Sequence, residues 1–215
     1  SAASDVYKRQ ELGQNNVLRC SSPVQVPGTT WKTVDSKFAT VATKTDGTLW
    51  AWGSNTWGQL GLNDRNRRSS PVQVPGTTWV GAWTTQGLTT IAVKTDGTLW
   101  SWGNGNAGAL GLNQAGPTRY SSPVQIPGTW STDIDNYYAG SHTANMSVIK
   151  TDGTLWTWGG NYRGGLGINV GGNPGPDRSS PVQVPGTTWK RVCTGTFSQC
   201  AIKTDGSMWS WGSNV

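Results

Sequence analysis

Apolar positions along this chain alternate over short runs, and the runs recur. In Lys44-Thr-Asp-Gly-Thr-Leu-Trp-Ala-Trp-Gly53, Leu49 and Ala51 fall on one side and Trp50 and Trp52 on the other, the period of a β-strand. The stretch returns as Lys94–Gly103 and Lys150–Gly159, and with Ser207 and Met208 substituted as Lys203–Gly212. Val41-Ala-Thr-Lys44, Ile91-Ala-Val-Lys94, Val148-Ile-Lys150 and Ala201-Ile-Lys203 supply a strand to pair with each. Between the two strands stand Asp46-Gly47, Asp96-Gly97, Asp152-Gly153 and Asp205-Gly206. These suit a tight two-residue turn, because glycine takes positive φ freely and aspartate tolerates it. Each copy is predicted to be a hairpin that presents a tryptophan pair (Trp50 and Trp52, Trp100 and Trp102, Trp156 and Trp158, Trp209 and Trp211) and ends in Gly53, Gly103, Gly159 or Gly212. A lone hairpin is marginal in water, so four copies imply neighbours that bury one another's faces.

The segments between hairpins repeat as well. Ser-Ser-Pro-Val-Gln-Val/Ile-Pro-Gly stands at 21–28, 69–76, 121–128 and 179–186, where a proline at each end bounds a short edge strand. A tryptophan follows (Trp31, Trp79, Trp130, Trp189), then a second short strand, the hairpin, and a connector typified by Gly58-Gln-Leu-Gly-Leu-Asn63. That makes four strands per unit, with 48, 52 and 58 residues from Pro23 to Pro71, Pro123 and Pro181 in turn. The units are placed at 21–68, 69–120, 121–178 and 179–215, the last cut short, with 11–20 as the tail of a preceding unit. Residues 1–10 share nothing with the repeat. Asp5-Val-Tyr-Lys-Arg-Gln10 reads like a translated sequencing adapter, so this stretch is set aside as a scar on a fragment of environmental origin.

Composition narrows the class. Thirty Gly, 14 Trp and only 13% charged residues fit an all-β repeat protein that grows by adding units. No apolar run is long enough to span a membrane. The formal charge of +6 drops by one without Asp5, Lys8 and Arg9. Four of the remaining cations are the hairpin lysines, each two residues before an aspartate, so nucleic acid gains little support as a partner.

The search for chemistry is mostly negative. The chain has one histidine, His142, and one glutamate, Glu11, which leaves little from which to build a catalytic pair. A packed or hydrogen-bonded His142 is the plainer reading. No phosphate-binding Gly-Lys-Ser/Thr loop occurs, and Asp133-Ile-Asp135 lacks the glycine and terminal glutamate of a calcium loop. No catalytic residue, metal or cofactor is expected. Cys193 and Cys200 lie on consecutive strand segments, so a cross-strand disulfide and two half-buried thiols both remain open.

The unit x-Lys-Thr-Asp-Gly-x-Leu-Trp-x-Trp-Gly-x-Asn…Gly-Gln-Leu-Gly resembles the repeat of the regulator of chromosome condensation family, which includes the bacterial β-lactamase inhibitor protein II and a plant UV-B photoreceptor. The resemblance covers essentially all of 11–215. It implies a β-propeller of four-stranded blades, usually seven, of which about four are present. The regular Ser-Ser-Pro-Val-Gln-Val-Pro-Gly form resembles bacterial or phage versions. The photoreceptor's Gly-Trp-Arg-His-Thr signature is absent, Gly81-Ala-Trp-Thr-Thr85 being the nearest approach. His142 falls where the family often carries a histidine beside the hairpin.

Specificity in a repeat protein is expected where the repeat breaks. Trp57 and Trp83 have no counterparts in the other units. The loop Ser131–Thr143 is longer than its equivalents and carries Asp133, Asp135, Tyr137, Tyr138 and His142. Val170–Asp177 is an insertion rich in Gly and Pro, and Arg19, Arg65, Arg67, Arg68, Arg119 and Arg178 precede the Ser-Ser-Pro segments. Equivalent loops of a ring share a rim, so these arginines should gather there, either solvated or as a weak anion or acidic-protein site. The expected role is non-enzymatic binding of a protein or cell-surface partner through the variable loops, in an extracellular or virion-associated setting. Two alternatives are a structural spacer in a phage tail or extracellular protein, and a guanine-nucleotide exchange module.

Overall fold

The computed structural model describes residues 12–15, 20–86, 88–114, 116–139, 144–170, 175–194 and 198–213. Residues 1–10, Arg19 and His142 lie outside the described residues. Among the described residues, fifteen strands form four antiparallel sheets. The first holds β1 (Trp31–Ser36), β2 (Ala39–Lys44), β3 (Leu49–Gly53) and β4 (Arg68–Val74). The second holds β5 (Trp79–Thr84), β6 (Thr89–Lys94), β7 (Leu99–Asn104) and β8 (Arg119–Ile126). The third holds β9 (Tyr137–Ala139), β10 (Met146–Ile149), β11 (Leu155–Gly159) and β12 (Arg178–Gln183). The fourth holds β13 (Trp189–Thr194), β14 (Ser198–Lys203) and β15 (Met208–Gly212). The sheets are blades of a β-propeller, set as an open arc.

Sheet and sequence unit are out of phase by one strand. The Ser-Ser-Pro-Val-Gln segment pairs with the hairpin before it, Gln73 opposite Trp50 and Gln125 opposite Trp100. The strand that opens each sequence unit thus closes the preceding blade. It is the outer edge, where Pro71, Pro123 and Pro181 leave no ladder donor unmet. The first strands β1, β5, β9 and β13 approach one another from blade to blade, which places them nearest the axis.

The turn also differs from the two-residue form expected. The Gly47 amide donates to the Lys44 carbonyl and the Lys44 amide to the Thr48 carbonyl, and within Thr45-Asp46-Gly47 only the glycine has positive φ, at 79°. This is a three-residue loop, a turn closed by a glycine bulge, in which Asp46 keeps ordinary backbone. Asp46 acts through its side chain instead. Its carboxylate accepts from the Thr48 amide (3.0 Å) and hydroxyl (2.7 Å), and Thr48 Oγ1 accepts from Trp50 Nε1 at 2.8 Å. The same relay holds at Asp96, Asp152 and, through Ser207, at Asp205. Above it the Lys44 ammonium sits 4.8 Å from the Trp31 ring centroid and 4.4 Å from that of Trp50, an arrangement repeated by Lys94, Lys150 and Lys203.

Blades are joined at both ends of the sheet. The Trp79, Trp130 and Trp189 amides each donate at 2.9 Å to the turn glycine of the preceding blade, Gly47, Gly97 and Gly153. At the other end, the indoles of Trp102, Trp158 and Trp211 donate to the connector carbonyls of Gln59, Ala109 and Gly165 at 2.9, 3.0 and 3.1 Å. Leu60, Leu110 and Leu166 of those connectors are buried beside them, each stabilising by about 1.5–3 kcal/mol through apolar burial. A neighbour on each side is needed to complete this. Val34 of the first blade is 70% exposed whereas Ala82, its register equivalent, is 3% exposed. Met208 of the fourth is 71% exposed whereas Leu49, Leu99 and Leu155 are fully buried.

Gly97 has φ +77°, and a Cβ there would stand 3.1 Å from the Trp130 carbonyl oxygen. Gly97→Val is expected to destabilise by about 1–3 kcal/mol, read from the urea midpoint; an unchanged midpoint would show that the position tolerates a side chain. The relay gives a second expectation. Hydroxyl and amide donors hold the Asp46, Asp96, Asp152 and Asp205 carboxyls below the ordinary aspartate value of 3.8. Folded-state values below the unfolded ones add stability that is present above pH 4 and lost as acid protonates the groups. The melting temperature should therefore fall below about pH 4, and Thr48→Val, Thr98→Val and Thr154→Val combined should make that fall shallower.

Candidate binding site on the axis

The hairpins supply a common ruler for the four blades. The residue between the two tryptophans is Ala51, Ser101, Thr157 or Ser210, and opposite it on the second strand stands Val41, Ile91, Ser147 or Cys200. Opposite that residue, on the first strand, stand Asp35, Trp83, Tyr138 and Cys193. The four occupy one register position, and all four line a depression of about 330 Å³ on the axis with Lys37, Asp135 and Arg191. Where the repeat keeps its turn, tryptophans and connector, this position carries a carboxylate, an indole, a phenol and a thiol.

Two anchors shape the wall. The Asp35 carboxylate accepts from the Thr84 amide at 2.7 Å and hydroxyl at 2.8 Å, tying the first blade to the second at the axis, with Lys37 Nζ 3.7 Å from its other oxygen. Trp83 stacks on Tyr137 with ring centroids 4.4 Å apart and planes 13° from parallel.

Sequence reasoning placed Tyr137 on a loop; the structure places it on a strand, where it also lines the depression. Tyr137 opens β9, is buried, and its hydroxyl donates to the Ser131 carbonyl. Burial pushes its phenol far above the ordinary value. The side of β9 that carries Tyr137 faces the preceding blade, while Tyr138 on the other side packs half-buried against the core shared with the following blade, and both line the depression. The long loop is an ordered insertion between Trp130 and β9. Ser131 Oγ accepts from the Asp133 amide (3.1 Å) and from Asn136 Nδ2 (3.0 Å), while the Asp133 carboxylate accepts from the Asp135 amide at 3.1 Å. Asp135 reaches the depression, and Asp133 stays within the insertion's own bonding.

Arg65, Arg67, Arg68, Arg119 and Arg178 are not brought to this site. Arg68, Arg119 and Arg178 begin β4, β8 and β12, opposite Gly53, Asn104 and Gly159, on the outer strand at the same end of each blade as the depression. Three strand spacings, about 14 Å, separate outer from inner strand. Two of these arginines also serve the fold. Arg68 pairs with Asp64 at 2.5 Å, and the Arg119 guanidinium lies 3.8 Å over the ring of Trp57, so that Trp57 clasps the first blade to the second. Arg65 is exposed, and Arg67 and Arg178 are half-buried. The described ends of Val170–Asp177 belong to the connector from β11 to β12, where Asp177 accepts from the Asn161 amide at 3.0 Å.

Asp35, Lys37 and Arg191 escaped the sequence reading because they sit in or beside short strands rather than in long loops, and Cys193 was read only as half of a thiol pair. Comparing the units position by position along the first strand would have exposed them. Among the described residues, no cluster of three His, Cys, Asp or Glu could hold a metal ion, and no helix is long and apolar enough to cross a membrane.

Comparison with known proteins agrees with this architecture. The sequence profile of the Regulator of chromosome condensation (RCC1) repeat matches residues 46–82 and 96–142. The RCC1 domain-containing protein RUG3, mitochondrial, of Arabidopsis thaliana is 34% identical over 103 residues, 45% of this chain and 22% of that protein. Human WBSCR16 superposes with a TM-score of 0.72 at 20% identity over 99% of this chain and 56% of that one. Prp20p of Saccharomyces cerevisiae, whose structure was described with its binding properties to Gsp1p and histones, gives 0.73 at 18% over 93% and 50%. Yeast RCC1 (Prp20), solved with Kap60 bound to it, gives 0.63 at 20% over 82% and 42%. The chain thus spans about half the length of these solved relatives and a smaller share of the plant one.

The two tyrosines can be told apart by stability. Tyr137→Ala should cost about 3–5 kcal/mol and Tyr137→Phe about 1 kcal/mol in urea denaturation, with Tyr138→Ala milder than Tyr137→Ala. Matching midpoints for the two alanine variants would contradict the placement of Tyr137 in the interface.

Proposed function

The chain carries regulator of chromosome condensation repeats, and from that premise we propose that it is a non-enzymatic protein-binding module whose partner docks on the axial depression. One observation carries this reading: the repeats agree wherever the fold needs them and diverge at Asp35, Trp83, Tyr138 and Cys193, which share one register position and line one surface. At about 330 Å³ the depression lies at the small end of ligand sites. It suits one or two side chains at the tip of a partner's loop better than a whole substrate. Trp83 and Tyr138 offer rigid aromatic area at small entropic cost. Asp35, Asp135, Lys37 and Arg191 surround them with both signs of charge, which favours a polar, mixed-charge segment of protein over a polyanion. The outer arginines lie apart from it and would act on encounter rate.

The test is affinity capture from the source organism's extract with the purified chain as bait, comparing wild type, Lys37→Glu with Arg191→Glu, and Arg65→Glu with Arg67→Glu. Lys37, Arg65 and Arg191 are exposed and Arg67 is half-buried, so capture is compared between variants whose melting temperatures match the wild type. The axial pair is expected to lose the captured partner by ~10-fold or more, as two hot-spot contacts would. The outer pair should retain it at low salt with slower association. Undiminished capture by the axial variant would refute the site, and loss in the outer variant alone would move it to the rim.

A further inference from the structure

The register position that lines the axis pairs with the second strand in every blade: Asp35 with Val41, Trp83 with Ile91, Tyr138 with Ser147, and Cys193 with Cys200. Only in the fourth blade are both partners thiols. Directly opposed residues of an antiparallel pair project from the same face, and their Cα atoms stand about 4.5 or 5.5 Å apart according to which kind of pair they form. Both separations fall inside the span of about 4.4–6.8 Å that a disulfide bridges, so closure asks for rotation of two side chains and no movement of the strands. Both cysteines are free, Cys193 is exposed on the wall of the depression, and Cys200 lies behind it, half-buried.

We propose that Cys193 and Cys200 form a thiol–disulfide exchange site, a cross-strand dithiol on the axis that a low-molecular-weight disulfide such as oxidised glutathione converts to an intrachain disulfide. The order of events follows from exposure. The Cys193 thiolate attacks one sulfur of the small disulfide, forming a mixed disulfide and releasing one thiolate. The Cys200 sulfur, already in contact range, then attacks Cys193 Sγ and expels the second thiolate. In sum, the protein's two thiols lose two protons and two electrons, and one small disulfide becomes two thiols. Partial burial and the adjacent Cys193 hold the Cys200 thiol above its ordinary value, which suits it to the second, intramolecular step rather than the first. Cys20, the third cysteine, is exposed and has no cysteine opposite it on a paired strand.

The test uses the full chain carrying Cys20→Ser, equilibrated with reduced and oxidised glutathione at set ratios, quenched with N-ethylmaleimide and weighed intact. The expected oxidised product is lighter by two hydrogen atoms and carries neither glutathione nor maleimide. Cys193→Ser or Cys200→Ser in that background should instead stop at one glutathione adduct or one alkylated thiol. Strand pairing predicts that the folded chain closes the bond with an equilibrium constant at least ~10-fold larger than the chain in urea, because the fold raises the effective concentration of one thiol at the other. Two glutathione adducts on one folded chain, two alkylated thiols in strongly oxidising buffer, or equal constants in folded and unfolded chain would each overturn the proposal. Far-ultraviolet circular dichroism of both serine variants confirms that the readout comes from folded protein.

Discussion

The contact on which everything else rests is the tryptophan of one blade donating its indole N–H to a carbonyl in the connector of the blade before. Trp102, Trp158 and Trp211 all do so, each beside a buried leucine from that same connector. A backbone carbonyl in an irregular connector, sealed from water, needs a donor, and the indole supplies one together with a large apolar area. At the first joint the Thr90 hydroxyl adds a second donor to the same Gln59 carbonyl, at 2.8 Å. The fold repeats because this contact repeats.

With the blades fixed in this way, the two edges of each sheet are free for different purposes. The outer strand carries a proline and begins with an arginine that braces its own connector or a neighbour's tryptophan, as Arg68 and Arg119 do. The inner strand serves packing and surface together: Asp35 ties the first blade to the second and Trp83 stacks on Tyr137, while the same side chains line the depression.

Much of the architecture was legible in the sequence because it follows from local rules. The alternation around each Trp-x-Trp gave the strands, and the glycine after each aspartate gave the reversal. What local rules could not reach was pairing between units. The Ser-Ser-Pro strand reads as the start of a unit, yet the open edge available to it belongs to the hairpin before. The turn type was misread because Asp46 acts through its carboxylate rather than its backbone. Tyr137 and Tyr138 are adjacent and alike in sequence, and only the position of the preceding blade decides which is buried. Loop length drew attention to Ser131–Thr143 and away from Asp35 and Arg191, which lie in short regular strands.

The joints between blades also have a direction. At the turn glycines and at the indoles the earlier blade offers carbonyl oxygens and the later blade N–H groups, whereas the connector amides of Asn63 and Asn113 donate the other way, to the Ser121 and Ser179 carbonyls of the later blade. The two faces of a blade are therefore complementary to each other and not to themselves. Association that joins the exposed face of the first blade, that of Val34, to that of the fourth, that of Met208, is consequently heterologous: it closes a ring or extends a filament.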